Sequence, residues 1–280
     1  MNILYCGNDK IEEGLTLSIL SLLRNVRETL HIYVLTMHVN TADKDYDPIS
    51  GQLITYLDDL ARQHNPDNFV HSFDTTALFR SHLPTANMAT RFTPYCMLRL
   101  FADLIPGLPE KLLYLDTDVI CRRDLCEFYH QDLSGYEIAG VLDYYGRWFF
   151  RCNPLRADYL NSGVLLMNLG EIRRTGLLQK CRQICAGKKL FMPDQSALNQ
   201  AAAAKKLQPR RFNEQRRLGE DTVLQHFTTT FRLFPLLHTL TVKPWQIDKI
   251  HEQLNLHEYD DLFTEYLHLQ PDIKAAKIKE

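Results

Sequence analysis

The sequence predicts an α/β protein with a mostly parallel central sheet flanked by helices. Short apolar runs with the residue types of strands alternate with longer segments in which apolar residues recur at helical spacing. This alternation is typical of βαβ units. The chain has 280 residues, of which 45% are hydrophobic and 24% charged, so it can bury a large core without disulfides.

The predicted elements follow one another without a linker or an internal repeat. The first strand, 3–6, ends at Gly7 and precedes a helix in which Leu15, Ile19 and Leu22 share one face. We expect further strands at 31–35, 69–73, 111–115, 138–142 and 163–167, and further helices at 53–61, 95–104 and 177–185. The last third of the chain is less regular.

Composition and charge exclude several classes of protein. Lys and Arg total 32 against 34 Asp and Glu, so the net charge of −2 offers no overall attraction to a nucleic-acid polymer. The seven cysteines are odd in number and contain no C-x-x-C pair, which favours reduced thiols over a disulfide framework. The N-terminus lacks a signal-peptide pattern, so we expect a cytoplasmic protein.

Two basic segments allow more than one interpretation. Six basic residues against one acid occupy 205–217, a pattern typical of a solvated loop. The C-terminus is also basic and follows Trp245, Tyr259, Phe263 and Tyr266. Such a tail could make a peripheral membrane contact, although amphipathic segments of this kind more often pack on their own domain.

Asp116 and Asp118 form the strongest local signal for chemistry. They follow the apolar strand 111–115, and residues i and i+2 of an extended chain face the same side about 6.6 Å apart. The two carboxylates can therefore share one hard cation. The motif alone leaves two alternatives open, namely a turn in which one acid caps a helix and the nucleophile motif of haloacid-dehalogenase-like phosphatases. Those enzymes usually carry their motif on the first strand, which does not match this position.

Six segments in the same order make the chain resemble glycosyltransferase family 8, which includes bacterial lipo-oligosaccharide galactosyltransferases and glycogenin. They are 7–10 (GNDK), Arg99, 113–118 (LYLDTD), 160–168 (LNSGVLLMN), 193–195 (PDQ), and His238 followed by 243–245 (KPW). The resemblance covers residues 2–245. It implies a GT-A-like single domain over 1–245 that binds a nucleotide sugar, and we expect a helical extension over 246–280.

The resemblance implies a metal site and a donor. Asp116, Asp118 and His238 match the family's metal ligands, and Lys243 matches a lysine that contacts the donor diphosphate. Two carboxylates and one imidazole suit Mn²⁺ better than Ca²⁺, with Mg²⁺ as an alternative. The implied donor is UDP-glucose or UDP-galactose, and the metal would neutralise charge on the departing UDP.

The remaining matched positions fall into two groups. The first group is expected to bind the donor and consists of Cys6, Asn8, Asp9, Lys10, Arg99 and Thr117. The second group is expected to surround the transferred sugar and consists of Asn161, Asp194 and Gln195, with Asp143 as a further polar candidate. An Asn amide oxygen at position 8 can accept a hydrogen bond from the uracil N3–H.

The sequence therefore predicts a metal-dependent, configuration-retaining transfer of a hexose to a glycan, glycolipid or glycoprotein. The neutral amide of Gln195 is a poor nucleophile, so we expect the acceptor to attack on the side from which UDP departs. The alternative is a nucleotide-sugar-binding partner protein with little turnover. It is motivated by Asn8, Ser196 and Thr241, where family members often carry Asp, Asp and Gly.

Overall fold

The computed structural model describes residues 1–40, 45–88, 93–146, 158–232 and 238–277. The strands are β1 (Asn2–Cys6), β2 (His31–Thr36), β3 (Val39–Asn40), β4 (Asp45–Tyr46), β5 (Phe69–Asp74), β6 (Lys111–Leu115), β7 (Val119–Cys121), β8 (Ile138–Leu142), β9 (Leu160–Asn168), β10 (Lys205–Leu207), β11 (Leu224–His226), β12 (Thr230–Arg232) and β13 (His238–Leu240).

The α-helices are α1 (Glu12–Asn25), α2 (Gly51–His64), α3 (Thr76–Ser81), α4 (Cys126–Tyr129), α5 (Leu169–Thr175), α6 (Leu177–Gly187), α7 (Pro193–Ala201), α8 (Ile247–Lys249) and α9 (Asp260–Lys277). Among the described residues, four 3₁₀ segments lie at Asp9–Ile11, Thr85–Asn87, Pro94–Leu104 and Arg210–Phe212, and a π-helical turn lies at Ile250–Leu254.

In the described part of the chain, seven strands form the central sheet in the order β10-β8-β9-β6-β1-β2-β5. Strands β6, β1, β2 and β5 run parallel, as do β8 and β10, whereas β9 is antiparallel to both of its neighbours. The prediction of a mostly parallel sheet is confirmed. Because β9 is reversed, its N-terminal end lies at the same edge of the sheet as the carboxyl ends of β1, β6 and β8.

The sheet is covered on both faces, which explains why β6 reads as a continuous apolar run. Alternate residues of β6 enter two different clusters. Leu113 and Leu115 pack in the cluster that contains α1 and α2 residues. Leu112 and Tyr114 pack on the other face, in the cluster that contains residues of Pro94–Leu104 and α6. The core therefore holds β6 rigidly and directs its carboxyl end to the edge of the sheet.

The C-terminal segment returns to the first helix of the chain. Leu262, Phe263 and Tyr266 of α9 are buried in one cluster with Leu17 and Leu20 of α1. The aromatic residues that follow Trp245 in the sequence thus pack inside the protein. Among the described residues, none of the helices is both long enough and apolar enough to cross a bilayer.

Candidate active site

The two acids of the strongest sequence signal lie where β6 ends. The backbone N–H of Asp116 donates to the carbonyl of Gly163 at 2.8 Å, and the N–H of Val119 donates to the carbonyl of Asp116 at 3.1 Å. The chain therefore turns immediately after the buried strand. Asp118 is 9% exposed, so its carboxylate is largely withdrawn from bulk solvent.

His226 joins the two acids. Its Nε2 lies 3.2 Å from Asp118 Oδ1 and 3.7 Å from Asp116 Oδ2. One ligand atom from each of the three residues lies within 4.8 Å of the others. His226 is 5% exposed. The arrangement is a compact set of two carboxylates and one imidazole.

Strand pairing brings His226 to this position. β11 pairs antiparallel with β7 and sets His226 opposite Val119, and the N–H of Phe227 donates to the carbonyl of Asp118 at 3.0 Å. Gly163 makes the approach possible, because a Cβ there would lie 2.1 Å from His226 Cε1 and 2.7 Å from Asp116 Oδ2. A side chain at position 163 would displace the imidazole.

The structure corrects the choice of His238 as the third ligand. His238 begins β13, which pairs with β12, and its residue is exposed. In the described part of the chain, the metal-ligating side chains grouped with Asp116 and Asp118 include His226 but not His238. The sequence interpretation selected the histidine nearest to Lys243, whereas pairing of β11 with β7 determines which histidine reaches the acids.

The donor set fits a divalent cation that accepts oxygen and nitrogen. Asp116 Oδ1 accepts from Arg99 Nη2 at 2.7 Å and from the Tyr114 hydroxyl at 2.6 Å, so Oδ2 is the oxygen that faces His226. Asp118 uses Oδ2 for Lys243 and presents Oδ1 to His226. Carboxylate oxygens and one imidazole nitrogen suit Mn²⁺ or Mg²⁺.

Asn213 contacts the imidazole of His226 on the side away from the acids. Its Nδ2 donates to Asn161 Oδ1 at 2.9 Å, which leaves its own Oδ1 facing His226 Nδ1 at 3.2 Å. A proton on Nδ1 then donates to Asn213, and the lone pair of Nε2 points toward the acids. A hydrogen bond of this kind behind a ligating histidine fixes its tautomer. All three side chains are buried.

Lys243 adds positive charge at Asp118. Its ammonium contacts Asp118 Oδ2 and donates to the carbonyl of Phe227 at 3.2 Å. Burial opposes ionisation of Asp118, but Lys243 and His226 outweigh it and hold the pKa of that carboxyl well below its usual value. Asp118 is therefore an anion at neutral pH.

Trp245 anchors the segment that carries Lys243. Its ring lies against Gly14 of α1, where a Cβ would be 2.6 Å from Trp245 Cζ3 and 2.8 Å from the carbonyl oxygen of Thr117. Thr117, which lies between the two acids, is 9% exposed, and its carbonyl oxygen lies close to Gly14 of α1. The absence of a side chain at position 14 thus allows Lys243 to approach Asp118.

Asp194 and Gln195 lie at the start of α7, beside the N-terminal end of β9. Asp194 accepts from the Ser162 hydroxyl at 2.9 Å and lies 3.4 Å from Arg99 Nε. Gln195 accepts from the Ser162 N–H at 3.0 Å and donates to Asp143 at 3.1 Å. Asn161 also donates to Asp143, at 2.9 Å. The structure thus joins these residues in one buried network.

The residues expected at the nucleoside follow β1. Asn8 is 3% exposed and its Nδ2 donates to Asp9 at 2.9 Å, so its carbonyl oxygen is the end that can accept from a ligand. Asp9 and Lys10 are exposed, and the Lys10 ammonium lies 5.2 Å from the centre of the Tyr46 ring. Burial raises the pKa of the Cys6 thiol, with a smaller opposing effect of Arg99, so the thiol stays neutral.

Sequence reasoning missed several residues of this site. His226, Asn213, Ser162 and Tyr114 all take part in its contacts. His226 carried only a weak local signal, because just two apolar residues, Val223 and Leu224, precede Gln225 and His226. The position of Tyr114 followed from the i, i+2 rule, which sets its ring on the same face as Asp116. Asn213 carried no local signal.

Comparisons with known proteins identify the family of the chain. The chain matches the profile of Glycosyl transferase family 8 over residues 2–248. It is 26% identical over 256 residues to a lipopolysaccharide 1,2-glucosyltransferase of Escherichia coli, covering 81% of this chain and 71% of that protein. It is 27% identical over 208 residues to the enzyme of the same name from Escherichia coli strain K12, covering 71% of this chain and 57% of that protein.

Solved structures show the same fold at low sequence identity. The galactosyltransferase LgtC in complex with donor and acceptor sugar analogues has a TM-score of 0.60 at 18% identity, covering 81% of this chain and 86% of that chain. The bifunctional glycosyltransferase WbbM has a TM-score of 0.70 at 16% identity, covering 98% of this chain and 51% of that chain. The protein has the GT-A fold, and the chain belongs to glycosyltransferase family 8.

Proposed function

We propose that the protein transfers a hexose from UDP-glucose or UDP-galactose to a carbohydrate acceptor, with a divalent cation and with retention of anomeric configuration. The observation that carries this proposal is the convergence of Asp116, Asp118 and His226 beside Lys243 at the carboxyl edge of the sheet. Open α/β sheets bind their ligands at this edge. Family membership makes a transferase the class of enzyme to test.

We assign cation binding to Asp116 Oδ2, Asp118 Oδ1 and His226 Nε2, on the contacts described above. A bound Mn²⁺ would supply Lewis-acid neutralisation of the charge that builds on the UDP diphosphate. Arg99 and Tyr114 keep the other oxygen of Asp116 occupied, which limits rotation of its carboxylate.

Lys243 is the protein's own positive charge for the leaving group. Its ammonium lies at Asp118, and Trp245 fixes the segment against α1. A cation beside a departing diphosphate stabilises the negative charge that develops in the transition state. We therefore assign Lys243 to the diphosphate, with Arg99 and Thr117 bordering the same region.

Hydrogen bonding around Asp194 and Gln195 supports attack by the acceptor on the face from which UDP leaves. Gln195 is a neutral amide whose oxygen accepts from the Ser162 N–H, so it offers no anionic nucleophile. The Asp194 carboxylate accepts from the Ser162 hydroxyl and lies 3.4 Å from Arg99 Nε, so these two contacts hold its position in the network. We propose that Asn161 and Gln195 position the sugar and that the departing phosphate or Asp194 takes the acceptor proton.

The proposed donor and acceptor classes rest on the relatives. Two of them are named as glucosyltransferases that act on lipopolysaccharide, and one similar structure is a galactosyltransferase with donor and acceptor sugar analogues. The buried amide of Asn8 is assigned to the uracil edge, because its oxygen can accept from N3–H. We propose a glycan as the acceptor.

The test measures transfer and binding separately. UDP release is followed with UDP-glucose and with UDP-galactose, each with Mn²⁺, Mg²⁺ or a chelator, over a panel of oligosaccharide acceptors. Calorimetry on the same protein measures UDP binding with and without Mn²⁺. We expect Mn²⁺-dependent binding and acceptor-dependent release, and NMR of the product should show a glycosidic bond of the same anomeric configuration as the donor.

Two outcomes would contradict the proposal. If UDP fails to bind with any of these ions, the donor class is wrong. If UDP-sugars bind but no acceptor of a broad panel is glycosylated, the result favours a nucleotide-sugar-binding protein with little turnover. A covalent sugar trapped on Asp194 during turnover would instead reject the front-face mechanism while leaving the transferase function intact.

A further inference from the structure

A cavity rich in arginine lies on the loop that carries Asn213. It has a volume of about 400 Å³ and is lined by Arg210, Glu214, Arg216 and Arg217. Small-molecule sites usually occupy roughly 300–1,000 Å³, so this cavity is large enough for a sugar-sized ligand. Three guanidinium groups face one carboxylate, which leaves an excess of positive charge.

The carboxylate in the cavity does not neutralise all three arginines. Glu214 forms an ion pair with Arg210, and the same oxygen accepts the backbone N–H groups of Arg216 at 2.8 Å and Arg217 at 3.1 Å. Within the described ranges, no carboxylate lies at ion-pair distance from the guanidinium of Arg216 or Arg217. Both residues are exposed, so their charged groups are accessible to a ligand.

Tyr144 holds two of the guanidinium groups in place. The centre of its ring lies 4.4 Å from Arg216 Cζ and 5.3 Å from Arg210 Cζ, and Arg216 also contacts its hydroxyl. Stacking on an aromatic ring restricts a guanidinium while leaving N–H groups at its edge for other partners. The planar N–H fork matches the oxygens of a phosphate group.

The cavity is adjacent to the residues assigned to the transferred sugar. Tyr144 directly follows Asp143, which accepts hydrogen bonds from Asn161 and Gln195. Glu214 directly follows Asn213, which contacts His226. Arg210 and Arg216 are each three residues from Asn213, and Arg217 is four. Consecutive Cα atoms are about 3.8 Å apart, so the Cα atoms of Arg210 and Arg216 lie within about 11 Å of that of Asn213.

We propose that this cavity binds a phosphate group carried by the acceptor glycan, so that the protein selects phosphorylated acceptors. The inference rests on the proposed function, because it assigns the cavity to the acceptor of that reaction. A neutral glycan would leave Arg216 and Arg217 without an anionic partner. The net charge of the chain is −2, so the attraction for an anion is local to this cavity.

The test uses glucose 6-phosphate as the probe, with glucose and inorganic phosphate as comparisons. Binding is measured by NMR titration of the whole protein, without UDP and again with UDP and Mn²⁺ at saturation. The variants are Arg216→Gln, Arg217→Gln and the double variant. Arg80→Gln is the matched control, since Arg80 is an exposed arginine on α3, which follows β5. β5 and β10 are the two edge strands of the central sheet, and the loop that carries the cavity follows β10.

We expect glucose 6-phosphate to bind in the presence of UDP and Mn²⁺, more tightly than inorganic phosphate, whereas glucose does not bind. Each substitution should weaken this binding about tenfold, the cost of losing a charge-assisted hydrogen bond. Affinity for UDP should stay within about twofold of the unaltered protein. Arg80→Gln should change neither affinity.

Three results would overturn the inference. UDP could displace the probe, which would assign the probe to the donor site. The arginine variants could bind the probe as well as the unaltered protein does. Inorganic phosphate could bind as tightly as the sugar phosphate, which would indicate a general anion site. Failure of UDP binding would instead reject the proposed function, and the titration without UDP still tests the cavity.

Discussion

The site is built from two regions whose positions are determined in different ways. Asp116 and Asp118 follow a strand buried on both faces, so the local sequence already directs them to the edge of the sheet. His226 and Lys243 belong to a segment that reaches the acids only through the pairing of β11 with β7 and the contact of Trp245 with Gly14. Side chains of the first kind can be inferred from a motif, whereas those of the second kind depend on long-range contacts.

The largest effect is expected in the first region, from Asp118→Asn. Asp118 contacts both His226 and Lys243, and an amide retains its shape but loses the negative charge. We expect Mn²⁺ affinity to fall by more than about 100-fold, beyond the usual cost of removing a partner that only supports a metal ligand. Mn²⁺ binding is measured by electron paramagnetic resonance, and UDP release should fall in parallel.

Asp124→Asn is the control for that variant, because Asp124 is an exposed acid outside the site. Its carboxylate accepts a hydrogen bond from the Cys126 N–H. The control variant should leave Mn²⁺ binding unchanged. Equal affinity in Asp118→Asn and the unaltered protein would show that the motif acids do not bind the cation.

The second region is tested by comparing His226→Ala with His238→Ala. His226 lies within reach of both acids, whereas His238 lies on an exposed strand. We expect His226→Ala to weaken Mn²⁺ binding by about 10- to 100-fold and His238→Ala to leave it within about twofold. The same titration measures both variants. The reverse order of effects would restore His238 as the ligand.

A smaller effect is expected from Asn213→Ala, which removes the partner of the His226 Nδ1 proton and the hydrogen bond to Asn161 but no atom that faces the acids. The imidazole would lose its orientation but keep its ligand atom, so we expect about tenfold weaker Mn²⁺ binding. Calorimetric titration with Mn²⁺ measures this change. An unchanged affinity would mean that β11 alone orients the ring.

The contact between the two regions is tested by Gly14→Ala. The added methyl group would meet the Trp245 ring at 2.6 Å and the rigid carbonyl of Thr117 at 2.8 Å. We expect the free energy of unfolding to fall by about 1–3 kcal/mol, the usual cost of overpacking. Thermal and urea unfolding measure the loss.

Gly51→Ala is the matched substitution, because no atom lies within 4 Å of a Cβ placed at position 51 of α2. It should stabilise the protein by about 0.4–1 kcal/mol, since alanine reduces the freedom of the unfolded chain. If both glycine variants had the same stability, the tight contact between Trp245 and α1 would not hold the second region in place.

Much of the fold was predictable because burial leaves periodic patterns. The alternation of apolar strands and helices identified the mostly parallel sheet, and the run 111–115 identified the strand that delivers the acids. The antiparallel direction of β9 was not predictable, since a strand that is buried on both faces has the same composition in either direction. That reversal is what brings Asn161 to the same edge as Asp116.

The sequence by itself determined the α/β class, the place of Asp116 and Asp118 at a strand end, and the resemblance to glycosyltransferase family 8. Tertiary structure alone decided that His226 rather than His238 meets the acids, and that Tyr144 packs against Arg210 and Arg216 of the arginine-lined cavity. The physical reason is that periodicity and motifs arise from neighbours along the chain. The position of His226 and the packing of Tyr144 on the arginines both depend on contacts between residues far apart in the chain, which the pattern of burial along the sequence does not encode.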